Sequence, residues 1–357
     1  MKLKILQIIN RPSVTGGMEL YALNLSRELK NLGHEVHMAL RSGTDFYEAA
    51  KREGFNIIPI TRGGAIQPYN IYSIARSLIK NKYDILHAHT GNDYWPPLLA
   101  KWLTASKSSE VFVTRHILSA PRGFSSRFYF QHVNTVCVSR SVLQAMYGSS
   151  PHAAKLKLVY PGIELDRFSP EKYEAVYREK FGIKDDEYVI ATMHKWFEKT
   201  FVIMQRILDK FGDIKFIVAG ELKNHEVKLV NNSKHKSRIN ICGVIKNMPE
   251  FYKSANMFLF PSFDEAFGLV VAEAMAMGLP VVVAASGGAS EIFENGSCGF
   301  KIEIEDTEGF ISAVRLIKEN MALHKKLSNA ARFLSQQYNV KNMAKTIEEL
   351  YFKSLKR

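Results

Sequence analysis

The chain of 357 residues predicts two consecutive α/β units, each built on a mostly parallel sheet covered on both faces. Three observations carry this prediction. Short β-branched runs alternate with amphipathic stretches, the rhythm of strands joined by crossover helices. The rhythm breaks once, at Tyr160-Pro-Gly-Ile-Glu-Leu-Asp-Arg-Phe-Ser-Pro170, and then restarts. The length exceeds one ordinary domain and suits two of roughly 150 to 200 residues each.

Leu3 to Ile9 reads as a first buried strand. Met18, Tyr21, Leu25, Leu29 and Leu32 then recur at three- and four-residue spacing, and Gly33 stands where a helix stop belongs. Further strands are predicted at Val36 to Leu40, Asn56 to Ile60, Ile85 to His89, Val111 to Thr114 and Thr135 to Ser139. The Pro- and Gly-bearing passage at 160–170 is the boundary between units. Beyond it, Tyr188 to Thr192, Ile214 to Ala219, Ile239 to Cys242, Met257 to Phe260 and Val281 to Ala284 are strands with helical segments between them. The chain closes in polar, helical sequence from about Val340 to Lys356, with no internal repeat and no low-complexity segment. Sheets of this kind bind ligands at the carboxyl ends of their strands, so function is expected in a cleft between the units.

Composition narrows the classes. Hydrophobic residues at 46% and charged residues at 23% exclude a disordered, collagenous or disulfide-scaffold chain. The longest mostly apolar stretch, Ala274 to Ala285, is too short to span a bilayer and contains Gly278 and Pro280. The first residues have a basic start, but their apolar run breaks at Gln7 and ends at Asn10 with no small-residue cleavage site after it, so they read as a core strand rather than a signal peptide. Cys137, Cys242 and Cys298 are scattered without metal spacing and are expected to be buried free thiols of a reducing compartment. The net charge of +13 is unevenly shared: residues 1–165 carry 20 Lys/Arg against 10 Asp/Glu, and residues 166–357 carry 28 against 25. The basic excess therefore lies on the first unit, where it says something about partners and nothing about fold. No helix-turn-helix, finger or stacking-sheet signature accompanies it, which argues against a nucleic-acid binder. After the first strand comes Asn10-Arg-Pro-Ser-Val-Thr-Gly16-Gly17, without the Gly-x-Gly-x-x-Gly fingerprint of a nicotinamide-dependent dehydrogenase.

The most informative stretch runs from Pro261 to Pro280, Pro-Ser-Phe-Asp-Glu-Ala-Phe-Gly-Leu-Val-Val-Ala-Glu-Ala-Met-Ala-Met-Gly-Leu-Pro. It follows an apolar strand and is predicted to open a helix near Gly268. The amides of Phe267, Gly268 and Leu269 then become helix-start donors, which suits an anion. Glu265 precedes that helix and Glu273 lies within it, with seven residues between them. A carboxylate in an apolar helix needs hydroxyls or cations to offset its desolvation, and the adjacent hydroxyls of a ribose fit.

With these residues the chain resembles a glycosyltransferase of the GT-B fold, of the large retaining family 4. Glu265 and Glu273 match that family's paired-glutamate motif in spacing and surroundings. Thr15-Gly16-Gly17-Met-Glu19 resembles its glycine-rich loop, and Leu32-Gly-His-Glu-Val36 the end of its first helix. Asp84-Ile-Leu-His87-Ala-His89, Tyr160-Pro-Gly-Ile-Glu164 and Ser286-Gly-Gly-Ala-Ser-Glu291 follow in order, so the likeness spans essentially the whole chain.

The resemblance implies an architecture of two Rossmann-like domains facing each other across a cleft. Residues 1–165 would bind the acceptor and 166–338 the nucleotide-sugar donor, while 339–357 form a helix that packs back on the first domain. It implies that Glu273 binds the donor ribose, that Glu265 meets the transferred sugar, and that Gly16 and Gly17 let backbone approach the diphosphate. His116, in Thr114-Arg-His116, falls where the family keeps an active-site histidine near the donor sugar; the alternative is a satisfied histidine at a strand end. Sequence logic alone does not put His87 and His89 on a face with His116, and at least one of them is expected to be structural. Where the family has glycine-arginine this chain has His194-Lys195, and Lys199-Thr200 stands for lysine-glycine with the loop one residue shorter. Lys195 replaces a planar fork by a point charge. Both lysines are the expected partners of the diphosphate, the alternative being two surface lysines.

The expected reaction is retaining transfer from a nucleotide sugar, a UDP-sugar first, with no cofactor. No Asp-x-Asp cluster stands near these motifs, so the expectation is metal-independent, with lysines and the helix start stabilising the leaving diphosphate. No carboxylate is placed for a double displacement, so the family's same-face route is expected. Arg115 to His132 interleaves Arg122 and Arg127 with Phe124, Phe128, Tyr129 and Phe130, which suits either an anionic membrane surface or an ordinary packed helix. The resemblance implies a glycan or lipid-linked acceptor in bacterial envelope or lipopolysaccharide synthesis, in the cytoplasm or peripherally on the inner face of its membrane. A nucleotide-sugar epimerase or phosphorylase of the same fold, or a sugar-nucleotide-binding scaffold, remains the alternative; the paired glutamates and the lysines favour transfer.

Overall fold

The computed structural model describes the chain apart from residues 14–15, 63–65, 90–92, 107, 121–123, 149–154 and 357, and describes 124–127 by backbone alone. The described residues form two compact units, Met1–Gly162 with Val340–Arg357, and Ile163–Asn339.

The first unit alternates strand and helix from its start: β1 (Lys4–Ile9), α1 (Gly17–Asn31), β2 (Glu35–Arg41), α2 (Asp45–Arg52), β3 (Asn56–Ile60), α3 (Pro68–Asn81), β4 (Ile85–Ala88), α4 (Trp95–Leu103), β5 (Glu110–Arg115), α5 (Phe124–His132), β6 (Asn134–Cys137), α6 (Arg140–Tyr147) and β7 (Leu156–Leu158). Its seven strands form one sheet in the order β3-β2-β1-β4-β5-β6-β7. Every pairing is parallel, with Ile8 opposite both Ala39 and Ala88 across the two neighbours of β1. The strand order reverses between β1 and β4, and crevices of such sheets open beyond the carboxyl ends at that reversal. Helix starts follow local chemistry: Thr44 caps α2 by accepting the Tyr47 amide at 3.3 Å, and Ser139 caps α6 by accepting the Val142 amide at 3.1 Å.

The second unit runs α7 (Val176–Lys180), β8 (Tyr188–Met193), α8 (Phe197–Lys210), β9 (Ile214–Ala219), α9 (Asn224–Asn231), β10 (Ile239–Gly243), α10 (Met248–Lys253), β11 (Met257–Phe260), α11 (Leu269–Ala276), β12 (Val281–Ala284), β13 (Gly299–Ile302), α12 (Thr307–Glu319) and α13 (Met321–Ser335). Its six strands are parallel in the order β10-β9-β8-β11-β12-β13, with the reversal between β8 and β11. Residues from β8, β9, β11, α8 and α12 close a separate core around Met204, Phe216, Leu259 and Phe310.

The last helix, α14 (Val340–Leu355), belongs to the first unit. It buries Val340, Met343, Ala344, Ile347 and Tyr351, a stripe at helical spacing, in the core that also holds Leu25 and Leu29 of α1. Burying each large side chain there favours the packed helix by about 1.5–3 kcal/mol.

Two strands were not foreseen. β7 is the three-residue Leu-Lys-Leu, and β13 begins at a glycine and keeps Lys301 in its middle. Both are edge strands. The cysteine expectation needs one correction. Cys137 and Cys298 are buried free thiols, but Cys242 is only half-buried because β10 is also an edge strand. Among the described residues, no helix is long and apolar enough to cross a membrane.

Candidate active site

In the second unit, β11 ends at Phe260 and the chain turns through Pro261–Phe267 before α11 begins. Gly268 caps that helix with φ +90°, a left-handed conformation that glycine adopts without strain, and no side chain caps the helix start. A Cβ at 268 would also stand 2.9 Å from the Cβ of Ala289. The neighbouring loop packs equally closely: Gly288 donates to the Glu265 carbonyl at 2.7 Å, and a Cβ there would lie 2.7 Å from the Phe267 Cα. The helix start thus presents the amides of Gly268 and Leu269 from a tightly held turn. Phe267 is buried, its ring edge-on to Tyr338 at 5.5 Å.

Glu273 is one turn further along α11 and buried. Its Oε2 accepts the Tyr252 hydroxyl at 3.0 Å. Burial pushes its carboxyl up to about 7; Tyr252 and the Arg167 guanidinium oppose that rise and Glu164 adds to it. The group therefore titrates in the neutral range and can accept from hydroxyls once ionised. Sequence reasoning missed Tyr252, because a tyrosine in an apolar stretch signals only core, and its pairing with Glu273 spans 21 residues.

Lys195 and Glu265 come together: Lys195 Nζ lies 2.7 Å from Glu265 Oε1 and donates to the Asp264 carbonyl at 3.3 Å. Ser262 Oγ donates to the same Glu265 oxygen at 3.2 Å. Lys199, on the first turn of α8, pairs instead with the exposed Glu305. The replacement of the expected glycine by His194 is accommodated locally, since its imidazole lies against Gly220, where a Cβ would collide with it. Trp196 then takes φ +54° at the start of α8, and its ring lies tilted against Phe263 with centroids 4.4 Å apart, an exposed aromatic pair beside Lys195 that the sequence did not flag.

In the first unit, Gly16 caps α1 and Gly17 opens it. The carboxylate of Glu19 lies against Gly16, so a side chain at 16 would meet it. Thr15 lies outside the described residues. His116 follows β5, and its Nε2 is buried without a hydrogen-bond partner among the described residues. Burial, helped by the Arg115 guanidinium, lowers its pKa to about 3, so the ring is neutral and can exchange hydrogen bonds with hydroxyls but cannot answer a phosphate charge. The structure does gather the three histidines that sequence could not place together. His87 stacks on His89 at 4.4 Å, and the His89 and His116 rings are 6.0 Å apart. Strand positions two apart share a face, and β5 lies beside β4. Of the basic aromatic segment, Arg122 and the side chains of Phe124 and Arg127 lie outside the described residues. Tyr129 and Phe130 are fully buried, and Phe128 stacks on Trp95 at 5.4 Å, as a packed helix does.

Comparison with known proteins follows this division. Residues 15–167 match the family model described as Glycosyltransferase Family 4, and residues 175–334 that described as Glycosyl transferases group 1. N-acetyl-alpha-D-glucosaminyl L-malate synthase of Bacillus anthracis is 25% identical, the alignment covering 100% of this chain and 98% of that protein. A glycosyltransferase from Rickettsia africae superposes with TM-score 0.87 at 22% identity, covering 100% and 99% of the two chains. Anabaena HepE, solved with UDP and glucose, superposes with TM-score 0.78 at 19% identity, covering 98% and 99%.

Proposed function

Because the chain belongs to the family-4 type of GT-B glycosyltransferases, we propose that it moves a sugar from a nucleoside-diphosphate sugar, a UDP-sugar first, to a glycan or lipid-linked glycan with retention at the anomeric carbon. The observation that carries this reading is the buried Glu273 carboxyl, one turn inside a helix whose uncapped start is Gly268, with Lys195 and Lys199 in the same unit. A ribose supplies two adjacent hydroxyl donors for Glu273, and a diphosphate supplies the anion for helix amides and lysines. The donor's base is suggested by the UDP of the Anabaena structure.

The sugar–phosphate bond breaks as negative charge grows on the departing diphosphate. Stabilising that charge lowers the barrier, and Lys195, Lys199 and the amides of Gly268 and Leu269 are the groups assigned to it, without a metal. Lys195 would leave Glu265 for the diphosphate, freeing Glu265 for the sugar hydroxyls. The acceptor oxygen enters on the face the phosphate leaves, and its proton passes to the leaving phosphate oxygen. His116, neutral, is the group that the family resemblance assigns to the hydroxyls of the sugar. The net +10 of residues 1–165 favours an anionic acceptor, as in envelope glycolipids.

The test is donor consumption. The chain is incubated with UDP-, GDP- and ADP-sugars, bacterial envelope glycolipids and EDTA, and free nucleoside diphosphate and labelled glycolipid are measured. Labelled glycolipid in equal amount to one nucleoside diphosphate is expected, with at least a tenfold loss on Lys195→Ala, about 1.4 kcal/mol of barrier. Interconversion of the donor sugar without transfer would identify an epimerase instead.

A further inference from the structure

Arg115 is the last residue of β5, opposite Cys137 of β6, and it is only 3% exposed. Among the described residues it is the one lysine or arginine that is buried. The neighbouring Thr114 turns to His87, so strand alternation sends Arg115 to the other face of the sheet. There it stands among Tyr94, Tyr129 and Cys137. Burial raises the pKa of all three, the guanidinium works against that rise in each, and all three are neutral at neutral pH.

A guanidinium has five N–H donors and does not lose its charge in a protein. Among the described residues a single acceptor is set against these donors, the main-chain carbonyl of Ser119, which receives from Nη2. The Nε–H is buried and has no hydrogen-bond partner among the described residues. No carboxylate answers the charge either. All 35 aspartates and glutamates of the chain are described residues, and none forms an ion pair with Arg115.

A buried charge costs stability unless something pairs with it. A water can accept from the Nε–H but brings no charge. An anion brings both, and a guanidinium suits an oxyanion, because two of its N–H groups can meet two oxygens of one carboxylate or phosphate. The position fits a substrate. Arg115 stands at the carboxyl end of its strand, the end at which such sheets bind ligands, and His116 follows it directly. Residues 116–120 carry no helix or strand, and Ile117 and Ser119 are exposed, so the carbonyl that holds the guanidinium belongs to an exposed loop. His116 is neutral and cannot meet a negative charge. The donor's diphosphate is already provided for in the second unit by Lys195, Lys199 and the helix start at Gly268.

We propose that Arg115 is an anion-binding residue of the acceptor site, its guanidinium exchanging the Ser119 carbonyl for a phosphate or carboxylate oxygen of the acceptor. That the anion belongs to an acceptor rests on the transferase reading; that the site takes an anion does not.

The experiment uses the full-length protein with 15N-labelled arginine. Inorganic phosphate and acetate probe the two oxyanions, and chloride at equal ionic strength is the reference. The Arg115 Nε–H resonance, identified by its loss in Arg115→Lys, should move saturably with phosphate or acetate and not with chloride. The probe that moves it further names the anion. The movement should persist in saturating UDP. Arg115→Met keeps a long side chain without the charge. In buffer free of both probes it should unfold at a higher temperature than the wild type, because an unpaired buried charge has gone, and it should gain no stability from the probe that stabilises the wild type. Arg76→Met, which removes an exposed arginine of the same unit, should leave that gain intact. In the glycolipid assay Arg115→Met should raise the acceptor KM at least about tenfold and leave the donor KM as it was.

An Nε–H resonance blind to both anions overturns the proposal, and this wild-type titration decides even where Arg115→Met does not fold. An Arg115→Met protein less stable than the wild type without the probes makes Arg115 a clamp on the loop and overturns it as well. Loss of the movement in saturating UDP assigns Arg115 to the donor diphosphate and overturns the acceptor assignment. A wild type that turns over no donor yet shows the saturable movement places the failure in the transferase reading and leaves the anion site standing.

Discussion

Glu273 keeps its proton into the neutral range because burial removes more solvation from its carboxylate than Tyr252 and Arg167 return. The sign of the effect on stability follows. From the ordinary value of 4.5 up to about 7 the unfolded chain ionises this group while the folded one does not, so its contribution to stability is lost as pH rises through that window. A difference of one pH unit between the folded and unfolded pKa is worth about 1.4 kcal/mol, and Glu273→Gln should relieve on the order of 3 kcal/mol at pH 8 and little at pH 4.5. Hydrogen exchange of the α11 amides in the two proteins would measure it. The same variant should bind nucleotide at least tenfold more weakly, since it exchanges a charged acceptor for a neutral amide. The histidines act in the opposite direction. His87 and His116 are both held near 3 by burial, so the first unit should lose stability as pH falls below about 6.5, by up to about 1.4 kcal/mol per pH unit for each. Exchange rates in β4 and β5 between pH 7 and pH 5 test this, and rates that do not change with local opening over that range would contradict it.

At the scale of elements, the turn into α11 matters most. Gly268→Ala forces a side chain into φ +90° and against Ala289, and should cost about 1–3 kcal/mol while weakening nucleotide binding. Gly212→Ala, where a Cβ meets nothing within 4 Å, is the matched control and should change neither. Lys199→Ala should change stability by no more than about 0.5 kcal/mol, because its partner Glu305 is exposed, yet lower kcat at least tenfold. Purified variants measured by urea unfolding and donor turnover would separate these two effects. The same scale explains what could be read from sequence. Met257–Phe260 and Val281–Ala284 are buried on every residue, so continuous apolar runs announced them. β7 and β13 carry lysines at sheet edges and announced nothing. The helix start at Gly268 was legible because strand, loop and helix follow one another in the chain. Tyr252 against Glu273, and Tyr351 against His87, were not, because those pairs are joined only by the fold.

For the whole molecule, two separately cored units divide the chemistry. The second brings Lys195 to Glu265 and sets Glu273 behind an uncapped helix start, while the first gathers neutral histidines around His116 and carries most of the net positive charge. Catalysis as proposed depends first on nucleotide recognition by the second unit. The most direct measurement is calorimetric titration of UDP, GDP and ADP into the wild type and into Glu273→Gln at pH 6 and pH 8. One nucleoside diphosphate should bind, more tightly at pH 8, where Glu273 is ionised, and the variant should lose both the affinity and its pH dependence. Binding of equal strength in the two proteins, or of none of the three nucleotides, would contradict it.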